Sequence, residues 1–167
     1  RDVSPLLTAT TTLVKSTMDD LNSMRAREGA RLHEVIAQRC DIIQAQLQLV
    51  KVRLPEIAIK QRERLLAKLT TLNTTVDQER LEQELVLFAH KMDVDEEIDR
   101  LQSHLVEIRN AIASTEPAGR RLDFLMQELN REANTLSSKS QDTDTTRAAV
   151  ELKVLIEQMR EQVQNIE

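Results

Sequence analysis

The sequence predicts an all-α protein built from long amphipathic helices in antiparallel hairpins with coiled-coil-like packing, and three observations carry that expectation. Aromatic residues make up only 1% of the 167 residues, with no Trp and no Tyr, so the core must be aliphatic. Only 2 Gly and 3 Pro are present, too few for the many turns of an all-β or α/β chain of this size. Apolar residues recur at steps of three and four almost from end to end, the period of one helix face.

The first helix is expected to start with Ser4 as N-cap and Pro5 at the first helical position, where a missing N–H costs nothing. It should run to about Ala26, with Gly29 as an interruption. The stripe then resumes as Leu32, Ile36, Cys40, Ile43, Leu47, Val50 and Leu54, a heptad-like seam. Pro55 predicts a kink or break, because it removes a helical hydrogen bond and biases Leu54 away from the α region. A further helix with Leu65, Leu69 and Leu72 should stop in the Thr- and Asn-rich stretch Thr70 to Thr75. Residues 1–75 then form a long helical hairpin region, and residues 76–167 a C-terminal helical domain.

In that second region the pattern returns at Asp77 through Leu81, Leu85 and Phe88. Asp93, three residues before Glu96, suggests a capped start for a helix carrying Ile98, Leu101, Leu105, Ile108 and Ile112. Ser114 to Gly119, with Pro117, reads as a loop. A helix with Leu122, Leu125, Leu129, Ala133 and Leu136 follows, then a polar linker from Ser137 to Thr145. The last helix carries Leu152, Leu155, Met159, Val163 and Ile166. Lone helices are marginal in water, so these stripes must pack, with seams left over for subunit contacts in a homo-oligomer.

Composition also excludes several classes. No apolar run approaches the roughly 20 residues of a membrane span, and no signal peptide is recognisable, which points to a cytoplasmic protein without membrane contact. The chain begins at Arg1 rather than Met, suggesting a piece of a longer protein. Cys40 is the one cysteine, so it forms no internal disulfide and no zinc site, and its place in an apolar seam suggests packing rather than reactivity. A formal charge of −5 argues against a uniformly basic nucleic-acid binder but leaves room for a local basic groove. No phosphate-binding glycine loop, nucleophile elbow or HExxH motif is present.

Three polar clusters stand outside the apolar seams. The first holds Glu82-Gln83-Glu84, then Asp93, Glu96, Glu97, Arg100 and His104. On a helix, steps of four, three and four would put Asp93, Glu97, Arg100 and His104 on one face, a donor set suited to a hard divalent cation, or an ordinary solvated acidic face. The second is Gly119-Arg120-Arg121, with Glu128, Arg131 and Glu132 beyond it. Like charges four apart cost a few tenths of a kcal/mol unless a cation lies nearby, either a shared metal ion or Arg131 and Arg121. Arg120 and Arg121 at a helix start could hold a phosphate. The third, Asn134, Thr135, Ser138 and Lys139, suits either phosphate contact or helix termination. His33 and His90 have no evident partners.

These runs resemble the YicC/YloC family of bacterial proteins. The resemblance rests on Glu82-Gln83-Glu84, Asp93 with Glu96-Glu97, Arg100-Leu101 and Ser103-His104. It rests more strongly on Gly119-Arg120-Arg121-Leu122-Asp123-Phe124, Gln127-Glu128, Asn130-Arg131-Glu132, Asn134-Thr135-Leu136 and Ser138-Lys139, on the ending from Glu157 to Glu167, and on Arg25, Glu28-Gly29 and Leu32. It implies the C-terminal part of a metal-dependent endoribonuclease acting on single-stranded RNA, linked to stress and RNA turnover and assembling as a homohexamer. The alternative is an oligomerisation scaffold whose activity needs an N-terminal domain absent here.

On that resemblance, Mn or Mg is expected to be held by some of Asp93, Glu96, Glu97, His104, Glu128 and Glu132. Glu97, His104, Glu128 and Glu132 are the expected catalytic residues. Arg100, Arg120, Arg121, Arg131 and Lys139 are the expected RNA contacts, since planar guanidinium forks match phosphate oxygens. With Phe88 and Phe124 as the only aromatic rings, base stacking contributes little, so RNA binding should be electrostatic and salt-dependent.

Overall fold

A computed structural model of the chain describes residues 2–71, 78–91, 93–140 and 142–164, without the side chains of 69–71, 78, 90 and 91. Leu72, Asp77 and Ile166, the Thr- and Asn-rich stretch from 72 onward, and the side chains of Leu69 and His90 lie outside the described residues. Five helices are described: α1 (Ser4–Thr71), α2 (Gln78–Lys91), α3 (Asp95–Ala113), α4 (Gly119–Lys139) and α5 (Thr143–Val163). Among the described residues there is no strand.

The expected end near Ala26 and a break at Pro55 do not occur, because α1 is one helix of 68 residues that runs through both Gly29 and Pro55. Gly29 costs about 1 kcal/mol relative to Ala, too little to end a helix that packs against the bundle from Leu32 onward. Pro55 and Lys51 are both exposed. Water can therefore satisfy the Lys51 carbonyl that Pro55 has no N–H to meet, and the break is avoided. The N-terminus also differs: the Val3 carbonyl accepts from Leu7 N–H at 3.0 Å, and Asp2 Oδ1 accepts from Ser4 N–H at 3.0 Å. Ser4 is thus the first helical residue rather than the cap, since the Asp2 carboxylate is the stronger acceptor.

Four helices close into a bundle in which α4 packs on α3 and α5, and α1 packs on the same two from the other side. Directions follow from the side-chain pairs. Lys51–Asp99 and Arg109–Asp41 set α1 antiparallel to α3, and Arg53–Asp144 with Arg39–Gln158 sets it antiparallel to α5. Short connections at 114–118 and 140–142 turn the remaining pairs. The result runs up, down, up, down, with α2 inserted between α1 and α3.

The core draws on Ile36, Cys40, Ile43, Leu47 and Val50 of α1 as well as on α3, α4 and α5. It includes Leu101, Leu105 and Ile108 facing Leu125, Leu129 and Leu136, all 1% exposed or less. Leu152, Ile156, Met159 and Val163 of α5 are buried too, so the last helix's stripe is consumed inside the bundle. What is left over is at the other end: residues 4–31 of α1 are exposed throughout.

Helix ends refine two further expectations. α4 continues to Lys139, shortening the polar linker to three residues, and Asp142 then caps α5 by accepting from the N–H groups of Asp144 and Thr145. α3 starts after Val94 without a side-chain cap, and Asp93 Oδ1 accepts from Asp95 N–H at 3.4 Å instead of forming a reciprocal box with Glu96. No helix of the described residues is long and apolar enough to cross a membrane.

Candidate functional site

The polar clusters meet along the antiparallel seam between α3 and α4, where charged residues on the two helices face each other in three rungs. At one end Lys139 Nζ donates to Glu97 Oε1 at 2.9 Å and to the Asp93 carbonyl at 2.7 Å. In the middle Arg100 Nη1 donates to Glu132 Oε1 at 3.3 Å, while its other fork pairs with Glu96 one turn back. Toward the other end Arg121 lies 3.6 Å from Glu107. Arg131 pairs along α4 with Glu128 at 3.6 Å.

Burial divides these groups by role. The Glu97 and Glu132 side chains are only 9% and 4% exposed, whereas Arg100 is 48% exposed. A carboxylate taken out of water is expensive unless a cation and hydrogen bonds meet it, so each buried glutamate is matched by the base opposite. The bases keep a wet side. Hydrogen bonding to Glu132, and then the negative charge of Glu96, push the Arg100 guanidinium above its ordinary range, so it stays cationic. Both of its terminal nitrogens are held by glutamates, and its outer side stays open to water.

Between the Arg100 and Arg121 rungs, on the α3 face that carries Arg100 and Glu107, lies His104. Its Nδ1 is buried with no hydrogen-bond partner among the described residues, and so is Glu97 Oε2. Buried polar atoms are rarely left without a partner, so each is a position where a ligand, water or proton donor would be favoured.

The structure brings together Glu96, Glu97, Arg100, His104, Arg121, Glu132 and Lys139 of the expected site. Asp93 joins through its backbone carbonyl, its side chain being turned to the start of α3. Glu128 and Arg131 form a pair of their own on α4, and Arg120 is exposed at that helix's first turn. Of the like-charged Glu128 and Glu132, the first is met by Arg131 as expected, and the second by Arg100 of the facing helix rather than by Arg121, which reaches Glu107. Among the described residues, no three His, Cys, Asp or Glu side chains are grouped so as to hold a metal ion, so the six expected ligands do not form a cage within one chain. Glu97 and Glu132 have lysine and arginine where a cage would have a cation.

Sequence reasoning missed Glu107. Its position three residues after His104 and seven after Arg100 was the available signal, since those steps keep it on their face. A separate hollow of about 530 Å³ sits at the far end of the bundle, where Arg25, Gly29 and His33 of α1 face the 114–118 loop. Glu28 and Glu116 line it too, giving it both signs of charge. Cys40 is buried in the apolar seam as expected and is unpaired, and burial pushes its thiol up from 9.0 to about 11.

The sequence of the chain compares with known proteins as follows. A family model described as "Endoribonuclease YicC-like, C-terminal" matches residues 50–167. A protein of Haemophilus influenzae named "Probable endoribonuclease YicC" is 50% identical over 150 residues, covering 90% of this chain and 52% of that protein. One of Clostridioides difficile with the same name is 38% identical over 157 residues, covering 92% of this chain and 54% of its own length. The chain thus spans about half the length of the curated relatives it matches.

Proposed function

This chain belongs to the YicC-like endoribonuclease family, as its C-terminal part, and from that premise we propose that the α3–α4 seam is where RNA is held and cut. The substrate is single-stranded RNA, whose phosphates reach the exposed sides of Arg100, Arg121, Arg131 and Lys139, with Arg120 at the mouth of the seam. The supporting observation is His104, an imidazole with a buried, unpartnered nitrogen on α3 between the Arg100 and Arg121 rungs.

Histidine is the commonest side chain for moving a proton to or from a reacting oxygen. Arg100 offsets the charge that builds on the phosphate. Glu97 and Glu132 act by holding Lys139 and Arg100 in place, and Glu128 does the same for Arg131. A dependence on Mn or Mg would need ligands beyond the groups that the described residues bring together, and no step here runs through a metal. The same reading places the protein in the cytoplasm, in RNA turnover under stress, and in a homohexamer.

The test is cleavage of labelled single-stranded RNA by the longer parent protein and its His104→Ala and Glu132→Gln variants. Each substitution should lower cleavage about 100-fold or more while circular dichroism and mass in solution stay unchanged. Cleavage at the wild-type rate by His104→Ala would remove the seam from the chemistry.

A second reading, an assembly scaffold, is favoured by one observation: Leu6, Leu7, Leu13, Val14, Met18, Leu21 and Met24 are between 47% and 70% exposed on the free arm of α1. In that case polar substitutions on the arm change the mass measured by light scattering, and the seam variants cleave as before.

A further inference from the structure

Beyond the bundle, α1 carries a line of positive charge that nothing above uses. Lys60, Arg64 and Lys68 stand four residues apart, are exposed, and have no carboxylate partner among the described residues. At 1.5 Å per residue successive charges are about 6 Å apart, and at 100° per residue the three fall within about 80° of one face. Like charges at this spacing repel by a few tenths of a kcal/mol per pair. The contrast with the seam is plain, since Arg100, Arg121, Arg131 and Lys139 each have a carboxylate within 4.0 Å. Glu56, four residues before Lys60, and Glu63, three after it, flank the line without closing an ion pair on it, so three cations against two carboxylates leave a net positive strip that an anion from outside can meet.

Two neighbours fix which way the line faces. Arg62, about 160° round the helix from Arg64, reaches Glu82 of α2 at 4.0 Å, so α2 lies behind the line and leaves it open. Arg53, one heptad before Lys60 on nearly the same face, pairs with Asp144 at the start of α5. The line therefore begins at the edge of the bundle and leads away from it. The Lys51–Asp99 pair sets the register of α1 against α3, and it puts the start of α3 level with Pro55. The charged line thus projects past the same bundle end at which Lys139 and Glu97 close the seam.

We propose that Lys60, Arg64 and Lys68 form a phosphate-binding ridge that grips the backbone of single-stranded RNA and leads it toward the Lys139 end of the α3–α4 seam. This rests on the reading of the chain as an RNA-cleaving module. A regular row of point charges along one helix face suits a polymer with a charge on every unit, and it reads no bases. An acidic protein surface is the competing partner.

The experiment measures fluorescence anisotropy of an end-labelled single-stranded RNA of about 20 nucleotides with this chain, from low to moderate salt. The Lys60→Gln/Arg64→Gln/Lys68→Gln variant should bind about tenfold more weakly or worse at low salt. Its salt dependence should fall by about two in log–log slope, given roughly 0.7 for each phosphate that is no longer neutralised. The Lys60→Arg/Arg64→Lys/Lys68→Arg variant keeps the charges and should bind as the unaltered chain does, which excludes a folding defect. Unchanged affinity and slope in the glutamine variant overturns the ridge, as does an unaltered chain that does not bind the RNA. Polyglutamate competing as well as RNA at equal charge reassigns the ridge to an acidic protein. The seam is judged separately, by cleavage in the His104→Ala variant, so either idea can fail while the other stands.

Discussion

Residues 4–31 and residues 32–54 lie on one unbroken helix and both carry apolar side chains at helical spacing, yet only the second stretch is covered. Leu32 to Val50 face α3 and α5, with Ile36, Cys40, Ile43 and Leu47 fully buried, while Leu6, Leu13 and Met18 of the arm are more than half exposed. The arm is also the poorer helix former. Thr8, Thr10, Thr11, Thr12 and Thr17 each turn a hydroxyl back to the carbonyl four residues earlier, the local bonding of a residue type whose branched side chain is restricted in a helix. An apolar stripe therefore specifies a helix and a face, whereas the partner that covers the face is decided by tertiary topology.

The largest expected effect separates the two stretches directly. Leu47→Ala should cost about 2–5 kcal/mol in urea unfolding, because it empties a site surrounded by packed helices. Leu13→Ala should stay within about 0.5 kcal/mol, since its side chain already meets water. If Leu13→Ala costs as much as Leu47→Ala, and more so at high protein concentration, another copy covers the arm in solution and the contrast disappears.

That contrast also explains what was legible beforehand. α3, α4 and α5 could be read because each stripe is bounded by a polar or proline-bearing stretch, such as Ser114 to Gly119 before α4 and Ser137 to Thr145 before α5. α1 could not, because Gly29 and Pro55 act as breakers only when surrounding packing is too weak to carry the helix past them. The site divided the same way. His104, Arg100 and Glu97 could be placed on one face from spacing, but Lys139 lies 42 residues from Glu97 and Arg100 lies 32 from Glu132. Pairings across that distance belong to the register of α3 on α4, which no local pattern encodes. The same holds for the charges: Glu97 and Glu132, which look unneutralised along the sequence, meet Lys139 and Arg100 on the facing helix.

The next effect tests whether the seam is structural as well as chemical. Glu132→Ala should lower stability by about 1–3 kcal/mol, less than for a fully buried pair because Arg100 keeps Glu96 and water. A comparable substitution at exposed Glu34, toward the arm end of α1, should change nothing measurable. Equal effects at the two positions would mean the α3–α4 register is held by the apolar core alone.

Pro55→Ala sharpens the boundary at the other end of the packed stretch. Restoring the N–H that can bond the Lys51 carbonyl should stabilise the chain by roughly 1–2 kcal/mol, the gain of a helical bond offset by a more flexible unfolded state. A destabilised Pro55→Ala variant would show that the proline-shaped geometry is needed to set α1 beyond the bundle.

The smallest effect is a pH dependence belonging to the covered stretch alone. Burial is the main cause of the raised Cys40 thiol, with Asp41 adding to it and Arg109 opposing it. The folded protein therefore holds this proton up to about pH 11, whereas the unfolded chain releases it from about pH 9.0. Stability attributable to Cys40 is then complete below pH 9.0 and drains away as pH rises through about 11, amounting to about 1 kcal/mol lost by pH 10. Cys40→Ala should be less stable at neutral pH because it leaves a small void, but its stability should fall less steeply between about pH 9 and about pH 11. Parallel pH profiles for the two proteins would mean that the thiol is reached by water, and that α1 separates from α3 and α5 around Cys40 often enough for the packed stretch to behave like the arm.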